Sequence, residues 1–154
     1  MTVTLPTSPP EVPPWFALLL TLYGTHEVRG GENPVIMAFH AAAKDGQDED
    51  EDAWCGATQA WCFSMLGYAL PKGPAAARSW LAFGTPCEPR LGAIAVFWRG
   101  DPSGWQGHVG QVVRVDGDTI WLLAGNQSDE LKISPMPKAQ LLGCRWPTGN
   151  PAGS

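Results

Sequence analysis

Apolar positions recur at helical intervals in the first half of the chain and collect into short β-rich runs in the second. Residues 15–23, Trp-Phe-Ala-Leu-Leu-Leu-Thr-Leu-Tyr, read as a buried helix that opens the folded region. Asn33-Pro34 places a capping side chain before Pro at the first helical position, which predicts a helix to about Ala43. A third helix is predicted from Cys55 to Leu66, stopped by Gly67. Positions 55, 58, 59, 62 and 66 fall on one of its faces. A short helix is expected at 75–82. The period then changes: 93–98, 109–115, 119–123 and 131–134 read as strands, with Asp116-Gly117-Asp118 as a turn. Helices followed by consecutive antiparallel strands predict an α+β domain.

A length of 154 residues suits one domain. Prolines at 6, 9, 10, 13 and 14 mark residues 1–14 as a flexible tail, and 148–154 read as a second, leaving a domain at 15–147. The 44% hydrophobic content and eight Trp indicate a globular chain. A formal charge of −5 without any Lys/Arg cluster argues against nucleic acid as a partner. The apolar run 15–23 is far short of the roughly 20 residues that span a bilayer. It has no basic region before it, since the first Lys or Arg is Arg29. The expectation is synthesis in the cytoplasm without a signal peptide and no membrane insertion. Passage through a separate pore or secretion machine would leave no mark here. Cys55, Cys62, Cys87 and Cys144 show no C-x-x-C pair and no zinc spacing, so free thiols are expected.

Cys55 stands apart because of its neighbours. A Cys in the first turn of a helix meets unpaired backbone N–H groups and the positive end of the dipole, both of which favour the thiolate. Small residues follow it in Trp54-Cys55-Gly56-Ala57, leaving room for a substrate carbonyl, and the Cys55 N–H is a candidate oxyanion donor. His108 enters a strand between glycines in Gly107-His108-Val109-Gly110, as a base would. Asn126, in Ala124-Gly125-Asn126-Gln127, can orient an imidazole. Each has a plainer reading alone: a small core thiol, a structural histidine, a turn asparagine. Their order, Cys on a helix and then His and Asn on strands, is a cysteine-protease order.

The chain resembles the CHAP-type amidases of the NlpC/P60 superfamily, in particular small peptidoglycan-lysing proteins of phages and bacteria. The resemblance is carried by Gly24-Thr-His-Glu-Val28, Asn33-Pro-Val-Ile36, Ala53-Trp-Cys-Gly-Ala57, Ala76-Ala-Arg-Ser-Trp80, Gly92-Ala-Ile-Ala-Val-Phe-Trp98, Gly104-Trp-Gln-Gly-His-Val-Gly110, Gly125-Asn-Gln-Ser128 and Leu142-Gly-Cys-Arg-Trp-Pro147. It implies a papain-like fold with Cys55 as nucleophile, His108 as base and Asn126 as orienting residue. It also implies a peptidoglycan amide as substrate, cleaved through a thioester. Ala124 departs from the pattern, standing where many CHAP relatives carry Glu.

Trp54, Trp98, Trp105, Gln127 and Glu27 are candidate substrate contacts; core or rim packing is the plainer reading of Trp98 and Trp105, and a solvated helix-end carboxylate that of Glu27. Asp48, Asp50 and Asp52 alternate like the start of a calcium loop, and some CHAP domains bind calcium beside the nucleophile. Ala53 and Gln59 replace the Gly and bidentate Glu that an EF-hand needs, so a solvated acidic loop and no cofactor are expected. His26 and His40 lack ligand spacing and read as surface or interface residues. A monomer acting on peptidoglycan is expected at the cell wall or in the periplasm, after release or delivery. The alternatives are an antibacterial effector amidase neutralised by an immunity protein, and a non-catalytic wall-binding module on the same fold.

Overall fold

The computed structural model describes residues 12–26, 33–43, 54–127 and 130–148, apart from the side chain of Asn126. Helices α1 (Pro14–Leu20), α2 (Pro34–Ala43) and α3 (Cys55–Met65) come first, then a 3₁₀ helix, Ala77–Ala82. Six strands complete the fold: β1 (Thr85–Cys87), β2 (Ile94–Trp98), β3 (Gly107–Asp116), β4 (Thr119–Gln127), β5 (Glu130–Pro137) and β6 (Leu141–Trp146). They form one antiparallel sheet in the order β1-β6-β2-β3-β4-β5. The α+β architecture is the one expected from the change of period.

Pro14 occupies the first turn of α1, so the helix begins one residue earlier than expected, as a residue without an N–H can. It ends at Leu20, three residues short, where the chain turns and the Thr21 hydroxyl donates to the Leu18 carbonyl at 2.6 Å. The Asn33 side chain does accept from the Val35 N–H at 2.8 Å, the capping contact that starts α2. Two strands have no counterpart in the sequence reading. β1 contains Pro86, which cannot donate to a ladder, and it survives as an edge strand paired to β6 alone. β6 carries Gly143 and Arg145, which blur its alternation, and it fills the slot between β1 and β2.

Both faces of the sheet are buried. Ile94, Val96, Val109 and Leu123 share one core with Trp15, Phe16 and Leu19 of α1 and Ala57, Ala60 and Phe63 of α3. Their strand neighbours Ala95, Phe97, Val112, Leu122 and Ala124 pack on the opposite face, as a period of two requires. The far part of α3 is held by aromatic rings: Phe63 lies 4.8 Å from Phe83 and 5.9 Å from both Trp15 and Trp80, centroid to centroid. The Trp15 indole N–H adds a 2.7 Å bond to the Gly92 carbonyl, tying α1 to the turn before β2. Truncating Phe63 or Trp80, neither with any exposed surface, should cost about 3–5 kcal/mol. His40 is buried within α2, which corrects its expected surface position. Among the described residues no helix is long and apolar enough to cross a membrane.

Candidate active site

Cys55 is the first residue of α3. The Trp54 carbonyl accepts the first helical bond, from the Thr58 N–H at 2.9 Å, and also the Thr58 hydroxyl at 2.7 Å. Among the described residues no side chain caps this end, and the N–H groups of Cys55 and Gly56 face the sulfur. Two glycines let the helix start sit this close to its neighbours. A Cβ on Gly56 would lie 2.6 Å from the Pro74 carbonyl oxygen, and one on Gly125 would lie 2.5 Å from the Trp54 ring. Trp54 itself has no exposed surface and stacks on Phe39 at 6.0 Å. It therefore anchors α3 in the core and does not meet substrate, a correction to the sequence reading.

The environment of the sulfur pulls in two directions. Burial raises the Cys55 thiol above its ordinary value. Opposing that are the Val109 N–H, the charge of Arg99, and the N–H groups of Gly56 and Cys55 itself. Burial prevails, and the resting group is a neutral thiol facing donors suited to an anion. Cys62, two turns along, is a useful contrast. It donates to the Trp15 carbonyl at 3.2 Å and burial pushes it up to about 12, as for an inert core thiol.

His108 has no exposed surface. Its Nε2 lies 3.3 Å from Gln127 Oε1. The Gln127 amide nitrogen donates to the carbonyls of Lys132 (2.5 Å), Leu122 (3.2 Å) and Ala124 (3.4 Å), which leaves only its oxygen to face the ring. Nε2 must then carry the proton, and Nδ1 is the lone-pair nitrogen. Nδ1 has no hydrogen-bond partner among the described residues. Burial lowers the imidazole to about 3, with Arg99 adding to the shift and Gln127 opposing it. No hydrogen bond joins the ring to Cys55. Val109, the residue after His108, turns its N–H to the sulfur.

Gln127 is thus the hydrogen-bond partner of the His108 ring, and it is buried at 6% exposure. Its expected role as a substrate contact is corrected accordingly. The register of β4 against β5 shifts between Ala124 and Gln127, just where Gln127 turns to the ring; nothing in the sequence marks that shift. Asn126 lies on the same stretch of β4, and its side chain is outside the described set.

A cleft of about 280 Å³ opens onto Cys55, lined also by Ala75 to Ala77, Arg99, Trp105, Gln106 and Gly107. Arg78 fixes one side of it. Its guanidinium donates to the carbonyls of Gln106 (2.8 Å), Pro102 (3.0 Å) and Asp101 (2.7 Å), holding the β2–β3 loop to the 3₁₀ helix. Trp105 is 80% exposed on that loop and lines the cleft. Trp98 is half-buried at the end of β2 and is not a lining residue, contrary to expectation. Arg99 and Gln106 were not singled out from the sequence, where nothing distinguishes them from other polar residues flanking strands. Glu27, Asp48, Asp50 and Asp52 lie outside the described residues. Among the described residues no three His, Cys, Asp or Glu side chains cluster as metal ligands.

Comparison with known proteins agrees with this fold. The CHAP domain family model matches residues 47–126, a span holding Cys55, His108 and Asn126. No curated protein matches the sequence. Among solved structures, a Staphylococcus aureus subsp. aureus Mu50 protein described as similar to a lipoprotein of the NLP/P60 family superposes with a TM-score of 0.51 at 17% identity. The match covers 97% of this chain and 46% of that one, so the chain spans less than half of the relative's length. By the family-model match this chain belongs to the CHAP domain family, and its helices set against a six-stranded antiparallel sheet have the fold of an NlpC/P60 protein.

Proposed function

We propose that the chain hydrolyses an amide bond of peptidoglycan, with Cys55 as nucleophile and His108 as base. The observation that carries this reading is the position of Cys55. It opens into a cleft at a helix start, ringed by backbone N–H groups, inside a CHAP domain. As the scissile carbonyl approaches, the Sγ proton passes to Nδ1 of His108, the nitrogen that Gln127 leaves free. Sulfur attack forms a tetrahedral oxyanion, for which the first-turn amides of α3 are the nearest built donors. Imidazolium then protonates the departing amine, and a thioester remains. Water, deprotonated by the same nitrogen, releases the acid and restores the thiol.

The resting pair is neutral on both sides, so proton transfer has to accompany substrate binding. Catalytic contacts commonly tighten only in the substrate complex. Arg99 supplies a positive charge beside Cys55, suited to a carboxylate of the stem peptide. The site of action is the wall, outside the cytoplasm. Cys55→Ala should fold and lose all clearing of isolated cell walls, and clearing by that variant would contradict the mechanism. New N-terminal alanine in the digest would identify the muramoyl amide as the scissile bond; other new termini would identify a peptide bond.

A second reading draws on the same neutral pair. A wall-binding module on this fold would also bury a thiol and an imidazole that are not bonded to each other. Retained wall binding with no new termini in any digest would favour it.

A further inference from the structure

Two cysteines at the sheet edge play no part in the proposed reaction. Cys87 on β1 and Cys144 on β6 are direct partners in the antiparallel register. Residues so opposed project to the same face with Cα atoms about 4.5–5.5 Å apart, inside the range of about 4.4–6.8 Å for disulfide-bonded cysteines. Their surroundings agree with the register. Cys144 is buried among Ala95 and Phe97, and Cys87 packs against the same cluster. The thiols also sense one another, since charge on Cys87 opposes ionisation of Cys144. The remaining two cysteines offer no competing pair: Cys55 and Cys62 sit seven residues apart on α3, about 10 Å along its axis.

We propose that Cys87 and Cys144 form a cross-strand disulfide when the protein meets an oxidising environment, stapling edge strand β1 to β6. In reducing surroundings the pair stays a dithiol. The oxidant is a small disulfide such as oxidised glutathione. Cys87, the more exposed thiol, attacks one of its sulfurs as thiolate and displaces one thiolate, giving a mixed disulfide. Cys144 loses its proton, attacks the Cys87 sulfur and displaces the second. The protein loses two hydrogens and the small disulfide becomes two thiols. Burial is the main reason Cys144 is pushed up to about 12, so little of its thiolate is present at neutral pH and closure, the intramolecular step, is slow. The bond closes β2 to β5 into one covalent loop, and a long loop restrains the unfolded chain most. This inference stands whether or not the chain hydrolyses the wall.

The test uses the full chain, folded, incubated with excess oxidised glutathione, then blocked with N-ethylmaleimide and mapped by mass spectrometry without reduction. The expected result is one linked peptide joining Cys87 to Cys144. Titratable thiols should fall from four to two, and Tm should rise by several degrees, reversed by dithiothreitol. Cys55→Ser should keep the link, and Cys87→Ser should lose both the link and the Tm rise. Four thiols still free after oxidation, glutathione left on Cys87 without closure, or a link through Cys55 or Cys62 would each overturn the proposal. Should a variant fail to fold, the map of the unsubstituted protein decides.

Discussion

Cys55 opens into a cleft, whereas His108, its intended partner, has no exposed surface and rests on Gln127. The helix end supplies two backbone N–H groups, of Cys55 and Gly56, and the sheet adds the Val109 N–H and the charge of Arg99. The strand end supplies a fixed tautomer, with Nε2–H held and Nδ1 free. Desolvation is the largest influence on both, raising the thiol and lowering the imidazole, so neither is charged at rest. On the proposed reading, β3 serves both tasks: His108 handles the proton and the next residue, Val109, turns its N–H to the sulfur that α3 presents. On that reading the thiol rests neutral and gives up its proton only as substrate binds.

The comparison can be broken most severely at the strand end. His108→Ala should lower turnover of peptidoglycan fragments by about 10²–10⁴-fold with the fold intact by circular dichroism. Near-full turnover would mean that Cys55 works without this ring. Gln127→Leu keeps the volume and removes the acceptor at Nε2, so the ring loses its preferred tautomer. A loss of about 10²-fold in kcat is expected, with little change in KM. An unchanged kcat would return the orienting role to another residue.

A third effect is on stability. The folded imidazole, at about 3, binds a proton more weakly than the unfolded one near 6.5. Its contribution is therefore present above pH 6.5 and is lost as pH falls toward 3, at about 1.4 kcal/mol per pH unit. Urea unfolding at several pH values should show that slope in the wild type and not in His108→Ala. The smallest effect expected is at Arg99. Its charge lowers the thiol, so Arg99→Leu should slow alkylation of Cys55 by iodoacetamide several-fold near neutral pH. An unchanged rate would separate Arg99 from the nucleophile.

Much of the fold could be read in the residues. α2 and α3 begin where Asn33-Pro34 and Cys55-Gly56 say they should, because caps and chain breakers act locally. β2 to β5 show themselves through β-branched runs and the Asp116-Gly117-Asp118 turn. β1 and β6 do not, because a three-residue strand containing Pro and a strand interrupted by Gly143 exist only through pairing with distant residues. The site divides in the same way. Cys55 and His108 stand out through their immediate neighbours. Gln127 requires a register shift in β4, and Arg99 requires knowing which loop closes over Cys55; both depend on tertiary packing. Trp54 shows the converse error, since an aromatic next to a nucleophile resembles a substrate contact until the helix is seen resting on it.

The most direct trial of Cys55 as nucleophile is intact-protein mass spectrometry on samples acid-quenched during digestion of peptidoglycan fragments. The account predicts a wall-derived acyl adduct mapped to Cys55 in the wild type, with neither adduct nor digestion by Cys55→Ala. Digestion by the Cys55→Ala protein at the wild-type rate would contradict it.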